Sequence, residues 1–229
     1  DADEFKGLVW VIYETVFKET GIISTTSVTK FMHYLRVLSH GIFPKGNRIG
    51  IISDSGGASA MMAKSTERYG LQVPKFSKKL QSEISKVLSN ISYPNNPVDL
   101  TFNLNQYNLY VKVPKLLIKS GEINGIIIYG AFGVDEFLEV MKKSGFDTEV
   151  FEELGTSMSG VYLKPIQKLS RKYSTPIFYV GPQGYSDPWI REFNALDNPI
   201  FDLWDLPAEC MKILCQYSQY REKFVWFNF

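Results

Sequence analysis

Ser53-Asp54-Ser55-Gly56-Gly57-Ala58-Ser59 closes a short apolar run, Ile49 to Ile52, and opens a small-residue segment containing Ala60, Met61, Met62 and Ala63. A buried strand that feeds a helix through two glycines leaves the first N–H groups of that helix without intrahelical partners. Those donors and the positive end of the helix dipole form an anion cradle. A tight turn in any doubly wound sheet has the same residues, so the motif alone leaves cradle and plain turn both open. The candidate phosphate-binding residues are Ser55, Gly56, Gly57, Ala58 and Ser59. Asn96 and Asp99, in Asn96-Pro97-Val98-Asp99-Leu100-Thr101, are secondary candidates, as loop staples or as substrate contacts. Gly130 and Gly133, just past a second apolar run (Ile126 to Ile128), are secondary candidates at the same sheet edge.

Other chemistry is sparse, and no side chain is assigned as catalytic. His33 and His40 are the two histidines. Seven residues apart, they have no Cys, Asp or Glu to complete a metal set, so they read as surface or helix-end residues and no metal site is expected. The chain has no Gly-Lys-Ser/Thr phosphate loop, no Gly-x-Ser-x-Gly elbow and no His-Glu-x-x-His. Asp135-Glu136 and Glu152-Glu153 read as solvated helix faces. Cys210 and Cys215, five apart on a predicted helix, point in different directions, and two such thiols fit a reducing cytoplasm.

The elements that must position the cradle follow from periodicity. Residues 9–20 and 27–39 read as amphipathic helices, the second capped by Ser27 with Phe31, Tyr34, Leu35 and Leu38 as its apolar stripe. Strands are predicted at 48–53, 71–73, 125–129, 176–180 and 199–201. Helices are predicted at 58–69, 76–88, 105–120 (kinked or restarted at Pro114), 134–144, 160–173, 187–194 and 207–223, with 145–159 irregular. Alternating β and α runs imply α/β architecture: a flavodoxin-like, doubly wound, parallel five-stranded sheet of order 2-1-3-4-5. Residues 1–45 are expected to form a helical extension packed on the domain 46–229. In such sheets ligands sit at the carboxyl ends of the strands near the switch point, where Ser53–Ser59 and Gly130–Gly133 fall.

Charge is balanced, 25 Lys and Arg against 24 Asp and Glu, so no nucleic-acid partner is expected. No segment is long and apolar enough to span a membrane, and none is expected to bind one. The chain begins at Asp1 instead of Met, as expected of a processed, trimmed or partial polypeptide. Its aromatic ending, Phe224 to Phe229, is expected to dock on its own domain or on a partner.

Four segments in this order and spacing carry a resemblance. Phe17-Lys18-Glu19-Thr20-Gly21-Ile22-Ile23 comes first, and Gly46-Asn47-Arg48 with its strand and Gly56-Gly57 comes second. Asn96-Pro97-Val98-Asp99-Leu100-Thr101 and Asn124-Gly125-Ile126-Ile127-Ile128 follow. The chain resembles the NDP-forming acyl-CoA synthetases, relatives of succinyl-CoA synthetase, from about Val11 to Tyr220. The part matched is the second flavodoxin-like ligase domain. The resemblance implies the reaction acyl-CoA + ADP + phosphate to acid + CoA + ATP, through acyl phosphate and phosphohistidine, with the Gly56-Gly57 helix start facing the phosphohistidine. It implies no cofactor on this domain alone. CoA, ADP or ATP and Mg are expected on partners, a CoA-binding Rossmann domain and an ATP-grasp domain, in a hetero-oligomer or homo-dimer. The family's histidine motif would align near Ala2 and is absent, so the histidine lies in another chain or is missing. The chain also departs from the family at Asp54, Ala58, Ser59 and Lys64. Two further readings stay open: a non-catalytic assembly or regulatory module on this fold, and a flavodoxin-like flavin binder.

Overall fold

The computed structural model of the protein describes residues 2–88, 92–101, 107–130, 134–145, 158–181, 188–195 and 198–224. Five apolar runs form one parallel sheet. They are β1 (Ile49–Ser53), β2 (Val98–Asp99), β3 (Gly125–Tyr129), β4 (Ile177–Val180) and β5 (Ile200–Phe201). The spatial order is β2-β1-β3-β4-β5, the expected doubly wound arrangement. The helices are α1 (Ala2–Thr20), α2 (Val28–Ser39), α3 (Gly56–Arg68), α4 (Lys78–Ser85), α5 (Val113–Ser120), α6 (Val134–Lys143), α7 (Met158–Tyr173), α8 (Pro188–Ala195) and α9 (Leu206–Phe224). The expected irregular stretch 145–159 falls mostly outside the described residues, and its last two residues already belong to α7. Residues 225–229 of the aromatic ending also lie outside them.

Alternate residues of the strands build two cores, one on each sheet face. Ile52, Ile126, Ile128, Ile177 and Tyr179 pack with Leu80, Ile84, Leu117, Leu163 and Phe193 from α4, α5, α7 and α8. Ile49, Ile51, Ile127, Phe178 and Val180 pack with Tyr34, Val37, Met62, Met211 and Leu214 from α2, α3 and α9. Gly125 lets α9 approach closely, since a Cβ there would sit 2.8 Å from Met211 Sδ.

The edge beside β1 differs from expectation. Leu71–Val73 is not a strand. Only Gln72 pairs there, in a lone parallel bridge with Arg48, and Ile49 N donates to Gln72 O at 2.7 Å. The second strand is Val98–Asp99, in register Ile52 with Val98 and Ser53 with Asp99. Between these two contacts the Asn96 side chain stands in for a strand. Its Oδ1 accepts from Ile51 N at 2.9 Å, and its Nδ2 donates to Ile49 O at 2.8 Å and Pro74 O at 3.0 Å. Tyr93 pairs with the outer side of Asp99 through two backbone bonds. On the opposite edge, the Arg36 guanidinium donates to the carbonyls of Ile200 at 2.9 Å and Asn198 at 3.1 Å, and to Asn194 Oδ1.

The predicted helix over 105–120 divides. A π-helical turn, Asn108–Lys112, runs directly into α5 with Val113 N bonded to Asn108 O, and Pro114, which has no N–H to continue that ladder, falls at the join.

The apolar stripe of α2 is rotated from the expected one. Tyr34 and Val37 are buried, whereas Phe31 and Leu35 are 50% and 47% exposed. Ser27 does cap the helix, accepting from Lys30 N. A carboxylate sets the rotation. Glu209 of α9 accepts from Lys30 Nζ at 2.8 Å, Tyr34 Oη at 2.7 Å and Tyr69 Oη at 3.1 Å, tying α2 and α3 to α9. Burial alone would raise the Glu209 carboxyl, but these donors outweigh it and hold its pKa below the ordinary value. Such a group stabilises the fold above its unfolded pKa and loses that contribution as pH falls through its lower folded pKa. Glu209→Gln is therefore expected to destabilise by about 1–2 kcal/mol at neutral pH and to reduce the acid-side loss of stability. Urea melts at pH 7 and pH 4 check this. Equal destabilisation at both pH values would remove Glu209 from the acid response.

Candidate functional site

The five buried residues of β1 carry the chain to Asp54, and α3 begins two residues later. Ser55 is the N-cap, in extended backbone, with its side chain accepting from Ala58 N. Ser53 Oγ accepts from Ser55 N at 3.0 Å and donates to Ser55 O at 2.9 Å, fixing the turn. Ser59 N bonds Ser55 O at 2.9 Å. Of the five predicted cradle residues, Ser55, Ala58 and Ser59 therefore use their N–H groups within the turn. Gly56 and Gly57 are exposed, and their N–H groups lie ahead of the first carbonyl that a helix can offer. Lys64, farther along α3, is exposed.

The two glycines differ. A Cβ at Gly56 would sit 3.0 Å from Asp99 Oδ2, so Asp99 rests against the helix start. At Gly57 a Cβ would meet only Ser55 Oγ, at 4.0 Å, so packing does not demand glycine there. Asp99 Oδ1 accepts from Thr101 N at 2.8 Å, and this loop bond holds the carboxylate in place.

Asp54 turns toward the end of β3. Gly130, at φ +117°, accommodates it, since any Cβ there would lie 2.8 Å from Asp54 Oδ2. Asp54 Oδ1 is buried with no hydrogen-bond partner. Burial, with Asp99 adding to it, pushes the Asp54 carboxyl up to about 6. Because the folded pKa is raised, the folded state binds the extra proton between the ordinary carboxylate range and pH 6, and stability falls as pH rises through that window. Asp54→Asn is expected to stabilise by about 1–2 kcal/mol at pH 7.5, discounted for partial exposure, and by little at pH 4. Thermal melts across that range read it out. A variant that is no more stable at pH 7.5 would show that the carboxylate is not strained.

Sequence reasoning singled out Gly130 but not its surroundings. Tyr110 Oη donates to Gly130 O at 3.0 Å, and Gly130 N donates to Val180 O at 3.3 Å. Tyr110 and Tyr179 are fully buried, and burial raises both phenols, with Asp54 adding to the rise at Tyr110. Tyr129, raised by burial and then by Asp54, flanks the same corner. The Tyr179 hydroxyl and Ser59 Oγ are buried without hydrogen-bond partners. Aromatic residues inside predicted core elements gave no sequence signal for this. Gly133 lies outside the described residues.

Asn96 is brought to β1, not to the cradle. All three of its amide bonds go to backbone groups, which tie its loop to β1. His40 is a buried helix-end residue instead of a surface one, and burial lowers His33. Among the described residues no group of three metal-ligating side chains occurs. Cys210 and Cys215 are buried free thiols that burial pushes up to about 12, which makes them unreactive. No helix among the described residues is long and apolar enough to cross a membrane.

No family model matches the chain. Curated relatives do. A Pyrococcus furiosus protein named acetate–CoA ligase [ADP-forming] II subunit alpha is 26% identical over 118 residues, 52% of this chain and 25% of that protein. The Methanocaldococcus jannaschii acetate–CoA ligase [ADP-forming] is 30% identical over 90 residues, 39% of this chain and 13% of that one. An Archaeoglobus fulgidus acetate–CoA ligase [ADP-forming] II is 20% identical over 212 residues, 93% of this chain and 28% of that one. The chain thus spans between 13% and 28% of the length of each. Among solved structures, the apo form of the Korarchaeum cryptofilum dinucleotide forming acetyl-coenzyme A synthetase 1 superposes with a TM-score of 0.71. It is 17% identical over 93% of this chain and 42% of that one. A Pyrococcus horikoshii protein gives 0.69 at 18% identity, over 91% of this chain and 44% of that one.

Proposed function

Because this chain belongs with the NDP-forming acyl-CoA synthetases, we propose that it is a domain or subunit of an ADP-forming acyl-CoA ligase. It supplies the start of α3 to a composite site whose histidine, CoA and nucleotide are carried elsewhere. The observation behind this reading is the exposed Gly56-Gly57 start of α3 at the carboxyl end of β1, whose first N–H groups precede any intrahelical acceptor and where a Cβ at Gly57 would meet only Ser55 Oγ, at 4.0 Å. There a phosphoryl group held on a histidine of a partner domain receives charge-assisted backbone bonds, each about 1.5–3 kcal/mol. The helix dipole adds roughly 0.3–1 kcal/mol, or up to about 2 when partly buried. The chain holds the phosphoryl group and moves no proton itself. CoA, nucleotide and Mg belong to a Rossmann domain and an ATP-grasp domain.

Native mass spectrometry of the protein from its own cells, followed by an assay of acyl-CoA-dependent ATP formation, tests this. Co-purification with chains that bind CoA and nucleotide, and activity of that assembly, is the expected result. A protein that appears alone or only with itself sinks the ligase reading.

The second reading, a non-catalytic assembly module, is favoured by one observation. Asp99 rests its own carboxylate against the start of α3, which opposes a second anion.

A further inference from the structure

We propose that the chain pairs with a second copy of itself, each copy laying its α1 on the outer face of the other's α2. The pairing is independent of the ligase reading. Both helices carry an apolar stripe that the fold leaves in solvent. On α1 the stripe is Val9, Ile12, Tyr13 and Val16, and the last three are about half exposed. On α2 it is Val28, Phe31, Met32 and Leu35, of which Val28 is 79% and Met32 60% exposed. Each set has the spacing i, i+3, i+4, i+7, which lines one helix face over two turns.

Neither stripe is covered by the described residues, and each helix is fixed to the domain by another side. On α2, Lys30 and Tyr34 bond Glu209 of α9, and Val37 is in the core. On α1, Phe17 and Lys18 face α9 across a cleft of about 420 Å³ that Tyr217 and Tyr220 help to line. Just past α1, Gly21 takes φ +71°, and the Tyr220 ring lies where a Cβ would be. That close approach seats the last turn of α1 on α9 and leaves its apolar stripe outside.

The two stripes themselves point to the occupant. They have the same spacing and the same length, so each offers the apolar face that the other lacks. A two-fold axis satisfies both at once, because the α1–α2 contact is made twice, once in each direction. Trp10, three residues before Tyr13 and half exposed, extends the α1 face. Covering these exposed side chains removes about 800 Å² from each chain at roughly 100 Å² apiece, the area that a standard stable interface takes from each partner. Helices joined in this way read as i, i+3, i+4, i+7 anchors on a facing helix.

Sedimentation velocity of the full chain over a range of concentrations tests this, and a reversible monomer–dimer equilibrium is expected. Ile12→Glu on α1 and Met32→Lys on α2 each put a charge in one stripe and should weaken the dimer at least tenfold. Both positions are exposed and both new residues favour helix, so the variants should melt with the parent. An equimolar mixture of the two variants should recover most of the dimer. In the mixed pair one α1–α2 contact is native, and the other brings the two introduced opposite charges together. A parent that stays monomeric, a dimer that ignores either substitution, or a mixture that stays monomeric would each overturn the proposal. The first outcome gives the stripes to a different partner and leaves the ligase reading standing.

Discussion

In the ligase assembly proposed above, replacing Gly57 by aspartate is expected to lower turnover by a factor on the order of 100 or more, the size of effect seen when one oriented donor to a developing anion is removed. The melting temperature stays where it was. The two halves of this expectation have separate causes. A Cβ at Gly57 meets only Ser55 Oγ, at 4.0 Å, so the fold accepts a side chain. The new carboxylate lies at the helix start, where it takes up the dipole's attraction for negative charge and repels a phosphoryl group. Gly57→Ala separates bulk from charge and should retain most of the activity. Gly56 is the wrong position for this experiment, because its Cβ would press on Asp99 and confuse binding with folding. Stopped-time assays of ATP formation with parent and variant assemblies, beside melts of the isolated chains, give the answer. Unchanged turnover in Gly57→Asp would take the cradle out of the mechanism.

The second large effect is on stability. Asn96→Ala is expected to destabilise by about 3–5 kcal/mol, because it strands the Ile51 N–H and the Ile49 and Pro74 carbonyls near a buried strand. Asn96→Asp should be nearly as harmful, since it keeps an acceptor for Ile51 N but removes the donor that serves both carbonyls. Chemical denaturation with fluorescence detection measures both. A loss under about 1 kcal/mol would mean that water replaces the amide without penalty.

Asn96 also shows what the sequence could and could not reveal. The Asn96-Pro97-Val98-Asp99 phrase stands out by composition, and a staple was one of its two readings. That its amide would occupy a gap between Gln72 and Val98 was not readable. A two-residue strand and a single bridge carry no periodicity, and the side chain that joins them lies 47 residues from Ile49. The longer strands were legible because short apolar runs such as Ile126–Ile128 and Ile177–Val180, closed by glycine or proline, have few alternatives. The Ser55 cap and Gly56-Gly57 start were legible for a similar reason: capping chemistry is local. The rotation of α2 was not. Its sequence carries apolar residues on more than one face, and Glu209, 175 residues from Tyr34, decides which face turns inward. The corner beneath Gly130 was hidden for the same reason, since Asp54, Tyr110 and Tyr179 come together only through the fold.

The treatment of the sheet margins has a consequence for assembly. One margin is closed by the Asn96 amide and by Tyr93, the other by the Arg36 guanidinium on the Ile200 carbonyl. Each outermost strand is only two residues long. Bare strand margins are what foreign chains extend, in fibrils and in strand-sharing complexes alike. This sheet offers no such template among the described residues, so whatever joins the chain must meet it through helices and loops. Side chains that bring helix α2 and the Asn96 loop to the sheet thus also keep the strands from being lengthened by a neighbour.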